Sequence, residues 1–411
     1  MASTTMPKNK RKALFAALTG SGLDDMNVMF LSFALSSIIA DLGLSGAQGG
    51  FISTITNLGM LLGGLVFGVL ADRKGNVKLF KWSILIFSLA TAALFFAESF
   101  FWVCLLRFIA GIGAGGEYGI AISIIAKVSP PEKMGVMSSW NGVAGQLGSI
   151  AAALLAGLVI PFMGWRGLFL FGLIPIALVA WLHFSVDSEF ELMASPEEID
   201  RVKPSLKELF QTKALARTTI SLMFMTTVQI AGYFGLMNWL PSILQERIGL
   251  SVTGSSLWMV ATIIGMSLGM LTFGRLLDKF GPRNVFAVFL LVSAASVFLF
   301  VYAGSQLTLL FGGAFVGFFV NGMFPGYGAI VSQLYPSRIH SIANNAVLNV
   351  GRAVGGFSSL AIGFLMDHYN LFVVMGFLSV LYLTSFVVML TIPGLKNESY
   401  KTMRAATSVK G

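Results

Sequence analysis

The chain has 411 residues, of which 56% are hydrophobic and only 11% charged, where a soluble domain carries about a quarter charged residues; a soluble globular protein is excluded. The net charge of +9 does not point to nucleic acid, because its bases lie in segments between apolar runs rather than in one patch. One cysteine, Cys104, excludes an internal disulfide or a cysteine metal cluster, and His183, His340 and His368 are never at ligand spacing, so neither a metal nor any other cofactor is expected.

A spanning helix needs roughly 20 mostly apolar residues. Hydropathy predicts twelve, at 13–40, 48–71, 79–97, 100–126, 133–160, 166–186, 214–240, 252–277, 284–303, 306–333, 341–366 and 370–392. The first run is too long for a signal-peptide core and lacks a small-residue cleavage site, so it reads as retained. Every Lys and Arg except Arg107, Arg166, Arg247 and Arg352 falls on one side of this pattern when both termini are cytoplasmic. That is the positive-inside distribution, and it predicts a plasma-membrane protein with N and C termini inside. Arg166 and Arg247 lie in or beside external loops and read as solvated or headgroup-facing charges. The fold class is an all-α membrane protein with twelve transmembrane helices in two pseudo-symmetric six-helix bundles, 1–186 and 214–411, joined by a cytoplasmic linker at 187–213 and ending in a short cytoplasmic tail.

The two bundles repeat. Sliding the chain by 206 residues aligns Gly68 with Gly274, Asp72 with Asp278, Gly75 with Gly281, Gly111 with Gly317, Gly116 with Gly322, Pro130 with Pro336, Gly145 with Gly351 and Gly157 with Gly363. One constant shift across five helices marks duplicated halves, the architecture of secondary transporters that bind substrate near the midplane.

Ionisable residues inside a bilayer are costly, about 2.5 to 3.5 kcal/mol each on insertion scales, and few persist without a use. Five lie well inside predicted spans: Asp24, Asp25, Arg107, Glu117 and Arg352. Asp24 shares an edge of the first helix with Asn27, and Asp25 shares another with Ser21 and Ser32. The aspartates read either as proton carriers or as a static pair with Arg107. Glu117 lies ten residues, about 15 Å, beyond Arg107 on one helix, so those two cannot pair; it is a second proton site or a partner for the basic loop around Arg73. Glycines 111, 113 and 116 would let the fourth helix pack tightly.

Asn345, Asn349 and Arg352 follow i, i+4, i+7 spacing on one face. The offset maps them to Ser139, Val143 and Gln146. Arg352 has no acid in its own span, so it binds a substrate anion or pairs with an acid of the other half as a gate. Gln229 and Tyr233, also i, i+4, are further candidates for substrate contact, while Asn57, Asn238, Asn321, Tyr327, Trp140 and Trp258 read first as packing or helix–helix contacts.

The loops "GVLADRKGNVK" and "GRLLDKFGPR" share the spacing Gly-x-x-x-Asp-[Arg/Lys]-x-Gly, which resembles the signature loop of the major facilitator superfamily. The "GGEYG", "SPPEKMG" and "GWRGLFLFGLIP" stretches resemble its sialic-acid and osmolyte symporters, and "DDMN" and "NWLPSIL" its aromatic-acid and niacin transporters. The resemblance implies the major facilitator fold, Asp24 and Glu117 in proton coupling or gating, and a cytoplasmic gate containing Gly68, Asp72, Arg73, Gly75, Asp278 and Lys279. Three positions depart from it. Asn27 stands at the second acid of the paired-acid element, Asn76 at the usual arginine after the loop glycine, and Lys127 at the usual glutamate closing the fourth helix. Losing those last two together implies a remodelled inner gate.

The functional expectation is a non-enzymatic importer of a small carboxylate by proton symport, acting as a monomer whose partners are its solute, protons and the lipid bilayer. Its proton-coupling residues are Asp24, Asp25, Glu117 and Arg107, and its substrate residues Arg352, Gln146, Asn345, Asn349, Gln229 and Tyr233. The alternative is a carrier of a neutral or zwitterionic solute, or an exporter, with Arg352 as a gating charge.

Overall fold

The computed structural model describes residues 7–129, 134–186, 206–302, 305–336 and 339–396. Among them every regular element is helical, the arrangement that satisfies backbone hydrogen bonds inside a bilayer. The helices are α1 (Lys8–Leu42), α2 (Gly46–Lys74), α3 (Asn76–Ala93), α4 (Phe100–Val128), α5 (Met134–Leu170), α6 (Ile174–Ser185), α7 (Lys213–Ile248), α8 (Val252–Phe280), α9 (Pro282–Ser296), α10 (Gln306–Gly322), α11 (Phe324–Leu334), α12 (His340–Gly355), α13 (Ser358–His368) and α14 (Leu371–Leu390). The predicted linker at 187–213 lies mostly outside the described residues.

Eleven described segments are long and apolar enough to cross a membrane, one being the 46-residue stretch Trp140–Ser185. At 1.5 Å per residue that stretch would run roughly 69 Å, about twice a hydrocarbon core. It turns at Gly164, whose φ of 67° leaves the helical region, so it makes two crossings and the total is the predicted twelve. The tenth crossing is α10 with α11, broken at Met323 ahead of Pro325. The eleventh is α12 with α13.

The chain forms two compact units. The first comprises Met1–Leu44, Phe51–Arg201 and Leu250–Leu257, and the second Ser45–Gly50, Val202–Gly249 and Trp258–Gly411. In the first, Phe80, Ile84 and Phe87 of α3 pack with Ala13, Ala16 and Ala17 of α1 and Ile120 and Ile124 of α4. In the second, the Phe273 ring meets Phe286 and Phe289 edge-on at 4.9 and 4.8 Å, and Phe286 meets Tyr327 at 5.3 Å. Such edge contacts contribute about 0.5–1.5 kcal/mol each beyond area burial.

The sequence repeat reappears as repeated contacts. A Cβ on Gly59 would stand 2.3 Å from the Phe108 carbonyl oxygen, on Gly63 1.9 Å from that of Ile112, and on Gly111 2.3 Å from that of Thr56. In the second unit the same three contacts fall 206 residues on: Gly265 against Ala314 at 2.0 Å, Gly269 against Phe318 at 2.1 Å and Gly317 against Thr262 at 2.6 Å. Only a residue without a side chain lets the backbones approach this closely. Gly75 and Gly281, also 206 apart, both take positive φ, 93° and 81°, where the chain turns into α3 and α9.

Candidate functional site

The first unit holds a polar centre among α1, α2, α3 and α4. Arg107 of α4 is only 2% exposed. Its Nε donates to Thr56 Oγ1 on α2 at 3.4 Å, and its Nη1 donates to the Asn27 carbonyl on α1 at 3.5 Å. It also interacts electrostatically with Asp24, itself buried. Beside it is a small cavity lined by Asn27, Val28, Thr56, Phe87, Thr91 and Arg107 among others. Asn27 Oδ1 and Thr91 Oγ1 have no hydrogen-bond partner there.

Glu117, ten residues along α4, is completely buried, and neither carboxyl oxygen has a hydrogen-bond partner. Its neighbours are Gly20, whose absent Cβ leaves 2.7 Å to Oε1, and Phe80, which crowds the same spot. It feels the fields of both Asp24 and Asp25. Asp25 is half-buried and faces α5, where its Oδ2 occupies the space a Cβ on Gly145 would need. The two aspartates therefore diverge as the helical spacing requires, and Ser21 and Ser32, on the edge expected for Asp25, are buried.

In the second unit the predicted stripe is graded: Asn345 is exposed, and Asn349 and Arg352 are half-buried. Gln229 is differently placed. Its amide donates to the Val320 carbonyl at 2.7 Å and to Asn321 Oδ1 at 3.3 Å, so it ties α7 to α10. Asn238 donates to Ser359 Oγ at 2.9 Å and Tyr327 to the Met225 carbonyl at 3.2 Å, both as helix ties. Tyr233 is half-buried against Phe234, ring centroids 5.1 Å apart. Gln146, in the first unit, is half-buried. Trp258 packs onto Gly313, whereas Trp140 is exposed.

For the gate, the side chains of Asp72, Arg73 and Asp278 lie outside the described residues. Lys279 is exposed, 5.2 Å over the Phe280 ring. The remodelled positions do meet: Lys127 Nζ donates to Asn76 Oδ1 at 3.1 Å, and Asn76 Nδ2 donates to Ser123 Oγ at 2.6 Å.

Arg166 corrects its sequence expectation. Instead of a solvated charge it is a clamp, pairing with Asp41 at 2.6 Å and donating twice to the Ala97 carbonyl at 3.2 and 3.0 Å. Trp165 adds a bond to Asp41 at 3.1 Å and lies 4.3 Å beneath the guanidinium. Arg247's side chain lies outside the described residues. Sequence reasoning also missed Thr56 as a partner of Arg107, Thr91 as a wall of the cavity beside it, and Tyr382, a fully buried phenol against Gly232. The available signal was weak: a lone hydroxyl in an apolar helix usually bonds its own backbone.

The sequence profile of the Major Facilitator Superfamily matches residues 17–268 and 222–408. A protein of Haemophilus influenzae, named provisionally for metabolite transport, is 36% identical over 94% of this chain and 97% of that one. The cis,cis-muconate transport protein of Acinetobacter baylyi is 31% identical over 88% of this chain and 89% of that protein. The solved structure of a D-xylose-proton symporter superimposes with a TM-score of 0.77 over 95% of this chain and 99% of that chain, at 18% identity, a likeness of fold.

Proposed function

The chain belongs to the Major Facilitator Superfamily, and from that premise we propose that it imports a small organic anion by proton symport across the cell membrane. It is a transporter and not an enzyme. In our reading the bundles 1–186 and 214–411 alternate access as a monomer, with both termini cytoplasmic as the Lys/Arg distribution favours. Asp72, Arg73, Asp278 and Lys279, with the loop glycines Gly68 and Gly75, form the inner gate.

The observation that carries the proton coupling is a cluster of carboxyls around a buried glutamate. Glu117 lies in the fields of both Asp24 and Asp25 with neither of its oxygens hydrogen-bonded, and Arg107 interacts with Asp24. Gathering negative charge in a low-dielectric interior is costly. Protons delivered and removed as the centre meets water on alternate sides supply the balance, with Asp24 as first carrier and Glu117 as second.

Arg352, with Asn345 and Asn349 on its stripe, binds the carboxylate in this reading, since a guanidinium can fork two hydrogen bonds to it. Gln146 is the corresponding residue of the first repeat, and Tyr233 adds a phenol from α7. The muconate relative favours a carboxylate cargo. Gln229 contributes only if its ties to Val320 and Asn321 open.

Proteoliposomes with an imposed pH gradient test both parts. Uptake of a labelled aromatic or dienoic carboxylate should stop when a protonophore collapses the gradient, and Arg352→Gln should weaken carboxylate binding. Uptake indifferent to the gradient removes the coupling. Unchanged affinity with altered turnover in Arg352→Gln favours a neutral or zwitterionic solute and a gating arginine.

A further inference from the structure

We propose that the first unit carries a binding site for one anionic phospholipid where the start of α1 meets the end of α6. The headgroup phosphate sits between Lys8 and Arg11, and the acyl chains lie along Phe15, Trp181 and Phe184.

Lys8, Arg11 and Phe15 fall at i, i+3 and i+7 and share one face of α1. All three are exposed, as are Trp181, His183 and Phe184 in the last turns of α6. Phe15 and Trp181 meet edge-on at 5.4 Å, which joins the two helices into one aromatic surface. Lys12 from the same basic turn donates to the Ser185 carbonyl and pins α1 to the end of α6. Lys12 is thus committed to holding the helices together, and Lys8 and Arg11 face outward above the rings.

Two chemistries therefore lie side by side. The basic pair attracts an anion, and Arg11 can fork onto phosphate oxygens. The rings call for an apolar cover: Phe184 is 85% exposed and Phe15 56%. A phospholipid with a net negative headgroup satisfies both at once, and basic residues next to a spanning helix gain about 1 kcal/mol each from an anionic surface. The acidic stretch that follows α6, with Asp187, Glu189, Glu191, Glu197, Glu198 and Asp200, is the rival partner for the basic pair. Free phosphate would leave the rings uncovered.

Trp181 reports on the site directly. Its emission, taken as the difference between the wild type and Trp181→Phe, is quenched by lipids carrying brominated acyl chains. In mixed micelles, brominated phosphatidylglycerol should quench it at roughly thirtyfold lower mole fraction than brominated phosphatidylcholine, from two cationic contacts. Lys8→Gln/Arg11→Gln should abolish that preference and leave phosphatidylcholine quenching unchanged. Native mass spectrometry should show one retained phosphatidylglycerol in the wild type and none in the double variant. The proposal is overturned if the double variant keeps the preference, or if inorganic phosphate displaces phosphatidylglycerol. It is equally overturned if the wild type shows no preference until the six linker acids are neutralised, which would make the linker the occupant. None of these readouts depends on which solute is carried.

Discussion

Lys127, near the end of α4, donates to Asn76 at the start of α3 across 3.1 Å, and Asn76 passes the contact on to Ser123. The superfamily resemblance implies an arginine and a glutamate at these two places, so a salt bridge has become a cation–amide bond without losing the contact between the helices.

Asn76→Arg should therefore be harmful alone, because it sets two cations together at a buried position. Its melting temperature in detergent should fall by several degrees. Adding Lys127→Glu should recover most of that loss. Equal melting temperatures for the single and double variants would show that the two positions are energetically independent.

Glu117→Gln keeps the volume of the side chain and removes its proton exchange. Proton-driven accumulation should drop at least about tenfold, the scale of a lost acid–base group, while substrate binding and solute-for-solute exchange persist. Asp24→Asn should behave alike if it carries the first proton. Loss of binding together with accumulation would instead mark these acids as structural.

Glycine contacts that recur in both units should cost alike when filled. Gly63→Ala and Gly269→Ala each drive a Cβ into a backbone carbonyl, and overpacking of that kind costs about 1–3 kcal/mol. Gly119→Ala, on an exposed face of α4 with nothing within 4 Å, should be neutral or stabilising by up to about 1 kcal/mol. Denaturation of the three variants in one detergent gives the comparison.

Arg166→Gln removes an ion pair worth about 1 kcal/mol or less at a partly open site and both bonds to the Ala97 carbonyl. Its melting temperature should fall by a few degrees, and the ion-pair share of the gap should narrow at high salt. Arg166→Lys should recover only part, since an ammonium lacks the planar fork that reaches Asp41 and Ala97 together.

The contrast between the glycines and Arg166 shows what a sequence can carry. Gly59, Gly63 and Gly111 sit where two backbones touch, so each is fixed by a local requirement and reappears at a constant offset; the repeat, and with it the fold class, is legible. Arg166 is different because its partner is 125 residues away, and nothing within its own helix pattern announces Asp41. The same holds for the centre around Arg107. Its charges stand out against apolar helices, but Thr56 and Thr91 resemble ordinary helix hydroxyls, and only packing shows that one meets the guanidinium and the other lines the cavity beside it. Gln229 shared a plausible face with Tyr233, yet the carbonyl of Val320, unmarked in any sequence, claims its amide.

The paired glycine contacts bear on the order of synthesis. All six residues of the first set, from Thr56 to Ile112, have left the ribosome well before Lys213 is translated, so α2 and α4 can close on each other while the second half does not yet exist. A truncated nascent chain stalled after α6 should already protect a cysteine replacing Thr56, a buried side chain of similar size on α2, from a membrane-permeant alkylating reagent.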